Sequence, residues 1–177
     1  EADLNHLNAI ERLASETLAC YQRLDILVNN ASSYYATPFG IATQQQWDDL
    51  QNSNLRGAFF LTQELSQALA SRQGVVINIV DTYAERPQHN HSIYNIAKAG
   101  LKAMTKTLAI DLAPKVRVNG IAPGSILWPA TLENRNDPNV VQAREKVQKK
   151  IPLGTLGQPR DIADVTYFLA SDASYMT

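Results

Sequence analysis

The sequence predicts an α/β fold in which helices cover both faces of a doubly wound parallel sheet. Three short apolar segments have the composition of buried strands: residues 25–29 (DILVN), 74–80 (GVVINIV) and 116–121 (VRVNGI). They are rich in Val and Ile and mostly continuous, as expected for strands covered by helices on both faces. Longer stretches with apolar residues three or four positions apart separate them, and this alternation is typical of right-handed crossovers in a parallel sheet.

Four stretches have the spacing of apolar residues that a helix requires. They cover residues 4–23, 43–72, 92–113 and 161–170, and the second is long enough for a helix with a bend. The stretch 123–152 contains several prolines and is predicted to be a loop with a short helix over a ligand crevice, because that crevice lies beyond the carboxyl ends of the strands. No repeat or linker divides the chain, so we expect one domain over residues 1–177.

Composition excludes several classes of protein. Lys and Arg number 16 against 17 Asp and Glu, so charge gives no reason to expect a nucleic acid or a membrane surface as partner. The single Cys20 cannot form an internal disulfide. His6, His89 and His91 show no metal-ligand spacing, and we expect no metal site. No apolar run approaches the roughly 20 residues of a membrane span, and no signal peptide is recognisable, so we expect a cytoplasmic protein.

Residues suited to chemistry follow all three predicted strands. Residues 29–32 (NNAS) follow the first, Tyr94 and Lys98 lie on the helix after the second, and Pro123-Gly124 follows the third. Tyr94 and Lys98 are four positions apart and share one helix face. A cation beside a phenol favours the phenolate, so Lys98 is expected to lower the pKa of Tyr94 and bring a general acid closer to neutral pH.

These motifs together resemble the short-chain dehydrogenase/reductase family. The resemblance rests on NNA after a strand, YxxxK at the start of a long helix and RVNGIAPG after the next strand, and it extends over nearly all 177 residues. It implies a Rossmann-type fold with a nicotinamide cofactor across the strand ends. Tyr94 would be the acid, Lys98 would tune it and hold the ribose, and Asn54 would anchor a proton-relaying water. The cofactor-binding residues it implies are Asp3, Leu4, Asn30, Ala31, Ser32, Tyr94, Lys98, Pro123, Gly124, Ser125 and Ile126.

The family pattern also extends beyond the two ends of this sequence. The glycine-rich turn that binds pyrophosphate in the family is absent, and Asp3-Leu4 matches the family position at the adenine ring. The resemblance therefore implies strands before Glu1 and one more strand after Thr177. Family members are commonly dimers or tetramers built on their long helices, and we expect a homotetramer.

One departure from the family pattern points to a particular substrate. Most members place a Ser thirteen residues before the Tyr, whereas this chain has Asp81. An ionised carboxylate has no donor and repels an oxyanion that develops on a ketone. An Asp beside Tyr94 can instead pass a proton toward a ring nitrogen, which suits the reduction of a C=N bond.

This departure is similar to the pteridine reductase branch, as is the run NNASSYYATP over residues 29–38. The resemblance implies that Tyr34 stacks the pterin against the nicotinamide and that Ser32 binds the pterin or a cofactor phosphate. The implied substrate-binding residues are Ser32, Tyr34, Asp81 and Tyr94. NADPH would then reduce dihydropterins or dihydrofolate to their tetrahydro forms. The tails of dihydrobiopterin, dihydromonapterin or dihydrofolate would meet the loop 127–139.

Two other interpretations remain open at this stage. Thr82 could replace the missing Ser, which would make the protein a carbonyl or 3-oxoacyl reductase. The chain could also be a non-catalytic Rossmann scaffold that acts by assembling with partners. Asn54, Tyr94 and Lys98 argue against a scaffold, because a scaffold has no physical need for a proton relay.

Overall fold

A computed structural model describes residues 2–128, 132, 134 and 136–177. Its elements in chain order are α1 (Leu7–Tyr21), β1 (Ile26–Asn29), α2 (Gln44–Gln51), α3 (Gly57–Ser71), β2 (Val75–Ile79), α4 (Ser92–Asp111), β3 (Arg117–Ile121), α5 (Pro138–Gln148) and α6 (Pro159–Ser171). A π-helical turn over Asn52–Arg56 joins α2 to α3, and a 3₁₀ turn over Thr82–Ala84 follows β2. No helix in the described part of the chain is long and apolar enough to cross a bilayer.

The three strands form a parallel sheet in the order β1-β2-β3. Asn29 pairs with Asn78, and Ile79 pairs with Ile121, so the carboxyl ends of the strands lie side by side. Helices lie on both faces, which confirms the predicted fold class. The face that carries Val76 and Val118 packs against α1, α3 and α4, whereas the opposite face of β2 and β3 packs against α6.

Burial of the strands differs from the prediction at the first of them. β2 is buried over most of its length, but Ile26 and Val28 of β1 are 45% and 40% exposed. The physical reason is the placement of α6, which contacts β2 and β3. The face of β1 that carries Ile26 and Val28 is therefore left uncovered by described residues. The prediction that all three strands are buried on both faces therefore holds for β2 and is wrong for β1. It holds only in part for β3, in which Gly120 is exposed.

Local sequence explains where α2 and α6 begin. Thr43 caps α2 by accepting a hydrogen bond from the Gln46 backbone, and the Gln46 side-chain oxygen accepts one from the Thr43 backbone N–H. α6 begins two residues before the predicted start, because Gln158 caps it and Pro159 occupies its first turn. The predicted helix 43–72 is interrupted at residues 52–56, where the backbone adopts the π-helical turn.

The stretch 123–152 contains the helix expected there. α5 begins after Asp137, whose side chain accepts a hydrogen bond from the Asn139 backbone, and Pro138 occupies its first turn. The loop 127–139, where the tails of the candidate pterins were placed, falls partly outside the described residues, as does Pro129 within it.

Gly57 allows the start of α3 to approach the chain segment before α1. A Cβ at this position would lie 2.9 Å from Leu4 Cβ and 3.1 Å from the Leu4 carbonyl oxygen. We expect Gly57→Ala to lower the free energy of unfolding by about 1–2 kcal/mol, because overpacking outweighs the better helix propensity of Ala. Chemical denaturation of both proteins measures this difference.

Gly100→Ala is the matched control for that variant. A Cβ at Gly100 would meet only side-chain atoms of Leu55, the nearest at 2.7 Å, and a terminal methyl group can move aside. We expect stability within about 0.5 kcal/mol of wild type, because a gain in helix propensity offsets a small repacking cost. Equal destabilisation of the two variants would contradict the argument that the Leu4 backbone is the limiting contact.

Candidate active site

The carboxyl ends of the strands carry the residues that the sequence singled out. Residues 30–32 follow β1, Asp81 lies two residues after β2, and Pro123 follows β3. Tyr94 and Lys98 lie in the first two turns of α4, which packs against β2 and β3. Both side chains are buried, with 5% of Tyr94 and 3% of Lys98 exposed. The parallel register therefore brings residues that are far apart in sequence to one edge of the sheet.

Asp81 and Tyr94 contact each other directly. The Tyr94 hydroxyl donates a hydrogen bond to Asp81 Oδ2 at 2.7 Å, and the Tyr83 backbone N–H donates to Oδ1 at 2.8 Å. The second bond makes Asp81 the cap of the 3₁₀ turn and fixes the direction of its carboxylate. Burial, together with the hydrogen bond and charge of Asp81, raises the pKa of Tyr94, with a smaller opposing effect from the Ser32 hydroxyl. The phenol is therefore held in its protonated form.

Thr82 does not take the place of Asp81 in this contact. Its side chain is exposed, and its hydroxyl lies 3.4 Å from Asp81 Oδ1. Among the described residues, Asp81 is the acceptor of the hydrogen bond from Tyr94. Geometry thus favours the aspartate, rather than the neighbouring threonine, as the group that acts together with Tyr94.

Lys98 is placed beside Tyr94 but does not lower its pKa. Lys98 Nζ donates to the Ile79 carbonyl oxygen at 3.0 Å and lies 5.7 Å from the centre of the Tyr94 ring. Burial lowers the pKa of Lys98 to about 8, and the charge of Asp81 only partly opposes this. The expectation that Lys98 lowers the pKa of Tyr94 is therefore wrong. Burial and the contact with Asp81 raise that pKa, and the Lys98 ammonium group points to the Ile79 carbonyl.

The lowered pKa of Lys98 makes stability depend on pH. Below pH about 8 the buried ammonium carries its full desolvation cost, because Lys98 is charged in both the folded and the unfolded state. Between about 8 and 10.5 the folded state loses the proton first, so wild-type stability rises with pH. We expect Lys98→Met to be more stable than wild type at neutral pH, with an advantage that shrinks over this window. Denaturation curves of both proteins at several pH values test this, and a constant difference would contradict it.

Asn54 connects the loop after β1 to the π-helical turn. It is 1% exposed, and its amide nitrogen donates to the carbonyl oxygens of Ser33 and Leu50, both at 2.9 Å. Its amide oxygen accepts a hydrogen bond from the Ser32 hydroxyl at 2.6 Å. Asn54 and Ser32 therefore hold the chain that carries Tyr34, and the role of Asn54 as the anchor of a water stays a prediction.

Tyr34 lies next to the Asp81–Tyr94 pair. Its ring centre is 4.9 Å from that of Tyr94, and the two rings meet edge to face at 78°. Burial raises the pKa of Tyr34, the Gln88 hydrogen bond lowers it, and the charge of Asp81 adds to the rise. The structure thus brings Ser32, Tyr34, Asp81 and Tyr94, the predicted substrate-binding residues, into one cluster.

The predicted cofactor positions fall on neighbouring surfaces. Asn30, Pro123 and Ile126 line an open, mainly apolar cleft of about 700 Å³ between β1 and α6. Gly124 and Ser125 line a second cavity that reaches Asp81, and a Cβ at Gly124 would meet no protein atom within 4 Å. Ala31 is exposed.

The Asp3-Leu4 pair lies next to the start of α3. Leu4 packs against Gly57 at the start of α3, three residues after Asn54, and Asp3 is exposed. Three features of the site fit the nicotinamide riboside half of a dinucleotide, which is flat and has polar edges. They are the apolar cleft, the open backbone at Gly124 and the buried ammonium group of Lys98. The adenine contact predicted for Asp3 and Leu4 stays a prediction.

Three residues near Tyr34 were not assigned a role from the sequence. Gln88 accepts a hydrogen bond from the Tyr34 hydroxyl, His91 stacks on the Tyr34 ring, and Asn95 holds the Gln88 backbone. The sequence offers His91 only as a histidine without metal-ligand spacing, and Gln88 belongs to no motif. Tertiary packing alone places them, since 54 positions separate Tyr34 from Gln88.

Comparison with known proteins places this architecture among characterised enzymes. The family described as enoyl-(acyl carrier protein) reductase matches residues 1–177. A 3β-hydroxysteroid dehydrogenase of Eggerthella lenta is 33% identical over all of this chain and 68% of its own length. A 3-oxoacyl-(acyl-carrier-protein) reductase of Thermotoga maritima is 37% identical over 95% of this chain and 68% of its own length.

A solved structure described as a short-chain alcohol dehydrogenase from Sinorhizobium meliloti superposes with a TM-score of 0.88. That protein is 31% identical, and the match covers 99% of this chain and 70% of the other. The fold, the Tyr94–Lys98 pair at the strand ends and these relatives agree: the chain belongs to the short-chain dehydrogenase/reductase family.

Proposed function

We propose that this protein is an NADPH-dependent reductase of pteridines, which converts dihydropterins or dihydrofolate to their tetrahydro forms. The observation that carries the proposal is the 2.7 Å hydrogen bond from the Tyr94 hydroxyl to Asp81 Oδ2. A carboxylate beside Tyr94 suits a substrate in which reduction leaves the electron pair on a basic nitrogen. Reduction of a ketone would instead leave a negative charge on oxygen. The proposal includes the homotetramer and the cytoplasmic location expected from the sequence.

The chemistry follows from what a buried Tyr–Asp pair can do. When bound, the reduced nicotinamide supplies the hydride that adds to carbon of the C=N bond. The nitrogen then needs one proton, and the Tyr94 hydroxyl is the donor within the site. The raised pKa of Tyr94 is tolerable here, because nitrogen that carries the electron pair of a former C=N bond is a strong base.

A ketone would place different demands on the same residues. Reduction of a carbonyl builds negative charge on oxygen, and stabilisation of that charge calls for hydrogen-bond donors. Asp81 already accepts hydrogen bonds from the Tyr83 backbone and the Tyr94 hydroxyl, and it offers the oxyanion a like charge. The geometry therefore favours a C=N substrate over a simple ketone.

Tyr34 supports a planar substrate. The residue is 47% exposed, and its ring lies 4.9 Å from Tyr94. A pterin stacked on the ring gains offset aromatic contact, typically about 0.5–1.5 kcal/mol beyond the area it buries. In this arrangement the pterin edge lies within reach of Ser32, Asp81 and Tyr94.

The residues that would hold the cofactor are those at the ends of the three strands. Lys98 has a buried ammonium group with one acceptor, the Ile79 carbonyl, among the described residues, which leaves donors for the hydroxyls of a ribose. Asn30, Pro123 and Ile126 would line one side of the nicotinamide half. The preference for NADPH rests on the pteridine reductase resemblance.

A second candidate is reduction of 3-oxoacyl thioesters. The relative from Thermotoga maritima bears that activity in its name and is 37% identical over 174 residues. In that case Thr82 would have to turn toward the substrate and replace Asp81 as the group beside Tyr94.

The test is NADPH oxidation by the full-length protein with dihydrobiopterin and dihydrofolate beside an acetoacetyl thioester. Turnover of the pterins without turnover of the thioester is the expected result. The reverse pattern would overturn the proposal in favour of the second candidate and would make Thr82 the residue to study.

A further inference from the structure

Tyr34 is held on two sides by residues of the loop before α4. Its ring stacks on His91, with ring centres 4.9 Å apart and planes inclined by 14°. Its hydroxyl donates a hydrogen bond to Gln88 Oε1 at 2.6 Å. The hydroxyl and one ring face are thus engaged and the ring also meets Tyr94 edge to face, yet 47% of the residue remains exposed. The Tyr34 ring is therefore held in a fixed position, and its remaining surface is available for stacking. We call this ring the platform.

The loop that holds Tyr34 is itself anchored to the start of α4. Asn95 is 8% exposed, and its amide nitrogen donates to the Gln88 carbonyl oxygen at 2.9 Å. The Gln88 backbone N–H returns a bond of 3.4 Å to Asn95 Oδ1. Because Asn95 is the neighbour of Tyr94, the position of Gln88 is tied directly to the residue that donates the proton.

A second connection joins this loop to the one that carries Tyr34. The Thr37 backbone N–H donates to the Asn90 carbonyl oxygen at 2.6 Å, and Thr37 pairs with His91 in an isolated parallel bridge. Thr37 is fully buried, so this bridge lies inside the protein. The two loops on either side of Tyr94 therefore form one connected unit.

From these contacts we infer that Gln88 and His91 are specificity-determining positioning residues that hold Tyr34 ready to stack a flat heterocyclic substrate. The inference rests on the proposed function, since it names how that site selects its substrate class. A ring fixed in advance loses little conformational freedom when the substrate binds, so the benefit falls on binding. Substrates without a planar ring gain nothing from the platform.

The hydrogen bond is tested by a double-mutant cycle in the full-length protein. Gln88→Ala and Tyr34→Phe each remove one partner, and each is expected to raise KM for dihydrobiopterin about threefold to tenfold. Gln88→Ala should leave kcat within about twofold of wild type. The double variant should resemble the single variants, because both remove the same bond. Gln67→Ala, an exposed glutamine on α3, is the matched control. Additive effects in the double variant, or an unchanged KM in Gln88→Ala, would overturn the inference.

The stacking contact is tested by two substitutions of one residue. His91→Ala should raise KM for dihydrobiopterin about threefold to tenfold, whereas His91→Phe retains an aromatic face and should restore the wild-type value within about twofold. If the role of His91 were purely structural, both variants would have lower thermal stability and a raised KM for NADPH as well. Failure of His91→Phe to rescue KM would show that stacking is not what His91 supplies.

A binding measurement separates failure of this inference from failure of the proposed function. The intrinsic fluorescence of pterin reports its dissociation constant for the protein saturated with NADP, without any turnover. If wild type binds pterin and Gln88→Ala binds it several-fold more weakly, the platform is established even where no pterin is reduced. If wild type reduces dihydropterins normally and the variants bind pterin as tightly as wild type, the function stands and the platform is wrong.

Discussion

Tyr94→Phe is expected to reduce kcat for dihydropterin reduction by about 10³-fold, the middle of the range for a general acid. The Tyr94 hydroxyl donates to Asp81, and the ring is 5% exposed among Leu50 and Ile93. Phenylalanine keeps this packing and removes only the proton donor, so folding and cofactor binding should persist. Steady-state kinetics measure the loss of kcat. A fluorescence titration with NADPH measures whether cofactor binding persists.

Tyr21→Phe is the matched control, because Tyr21 is 74% exposed at the end of α1. That variant should keep wild-type kinetics. If Tyr94→Phe retained more than about a tenth of wild-type kcat, proton donation by Tyr94 would be excluded, since general-acid catalysis contributes at least about 10²-fold. Loss of NADPH binding in Tyr94→Phe would instead assign the hydroxyl to the cofactor.

The fold could be predicted because its signals are local. Val- and Ile-rich segments predicted β1, β2 and β3 to within one residue at each end, and the alternation with helices predicted that the strands are parallel. Exposure of Ile26 and Val28 could not be predicted, since it depends on which strands α6 covers. The π-helical turn at Asn52–Arg56 could be predicted from the sequence only as a bend in a long helix.

The candidate site was predictable as far as its residues carry motifs. Asp81, Tyr94 and Lys98 stand at fixed spacings, and the structure brings them to one edge of the sheet. The direction of the pKa shift on Tyr94 was not predictable, because it depends on burial and on whether Lys98 Nζ points to the phenol or to the Ile79 carbonyl. Sequence spacing predicts which side chains lie close together. The direction of a pKa shift depends on which atoms those side chains contact.

Asp81→Ser is expected to lower kcat/KM for dihydropterins by about 10²-fold while NADPH binding stays at the wild-type level. Serine can still accept the hydrogen bond from the Tyr83 backbone, since Ser and Asp are both good caps, so the 3₁₀ turn should be kept. The variant loses the carboxylate that accepts from Tyr94 and gains a hydroxyl donor. We therefore expect measurable reduction of an acetoacetyl thioester to appear, because the donor stabilises an oxyanion.

Thr82→Val distinguishes the two candidate functions in the same assays. Thr82 is exposed and contacts Asp81 only at 3.4 Å, so its loss should leave dihydropterin reduction unchanged. If Thr82 replaces the family serine, Thr82→Val in a protein that keeps Asp81 would abolish reduction of the thioester. Unchanged pterin turnover in Asp81→Ser would remove the aspartate from the mechanism. The opposite pair of results is a loss of pterin turnover with Asp81→Ser and no loss with Thr82→Val. It requires the carboxylate itself, because the two residues are adjacent in sequence and, of the two, Asp81 accepts the hydrogen bond from Tyr94.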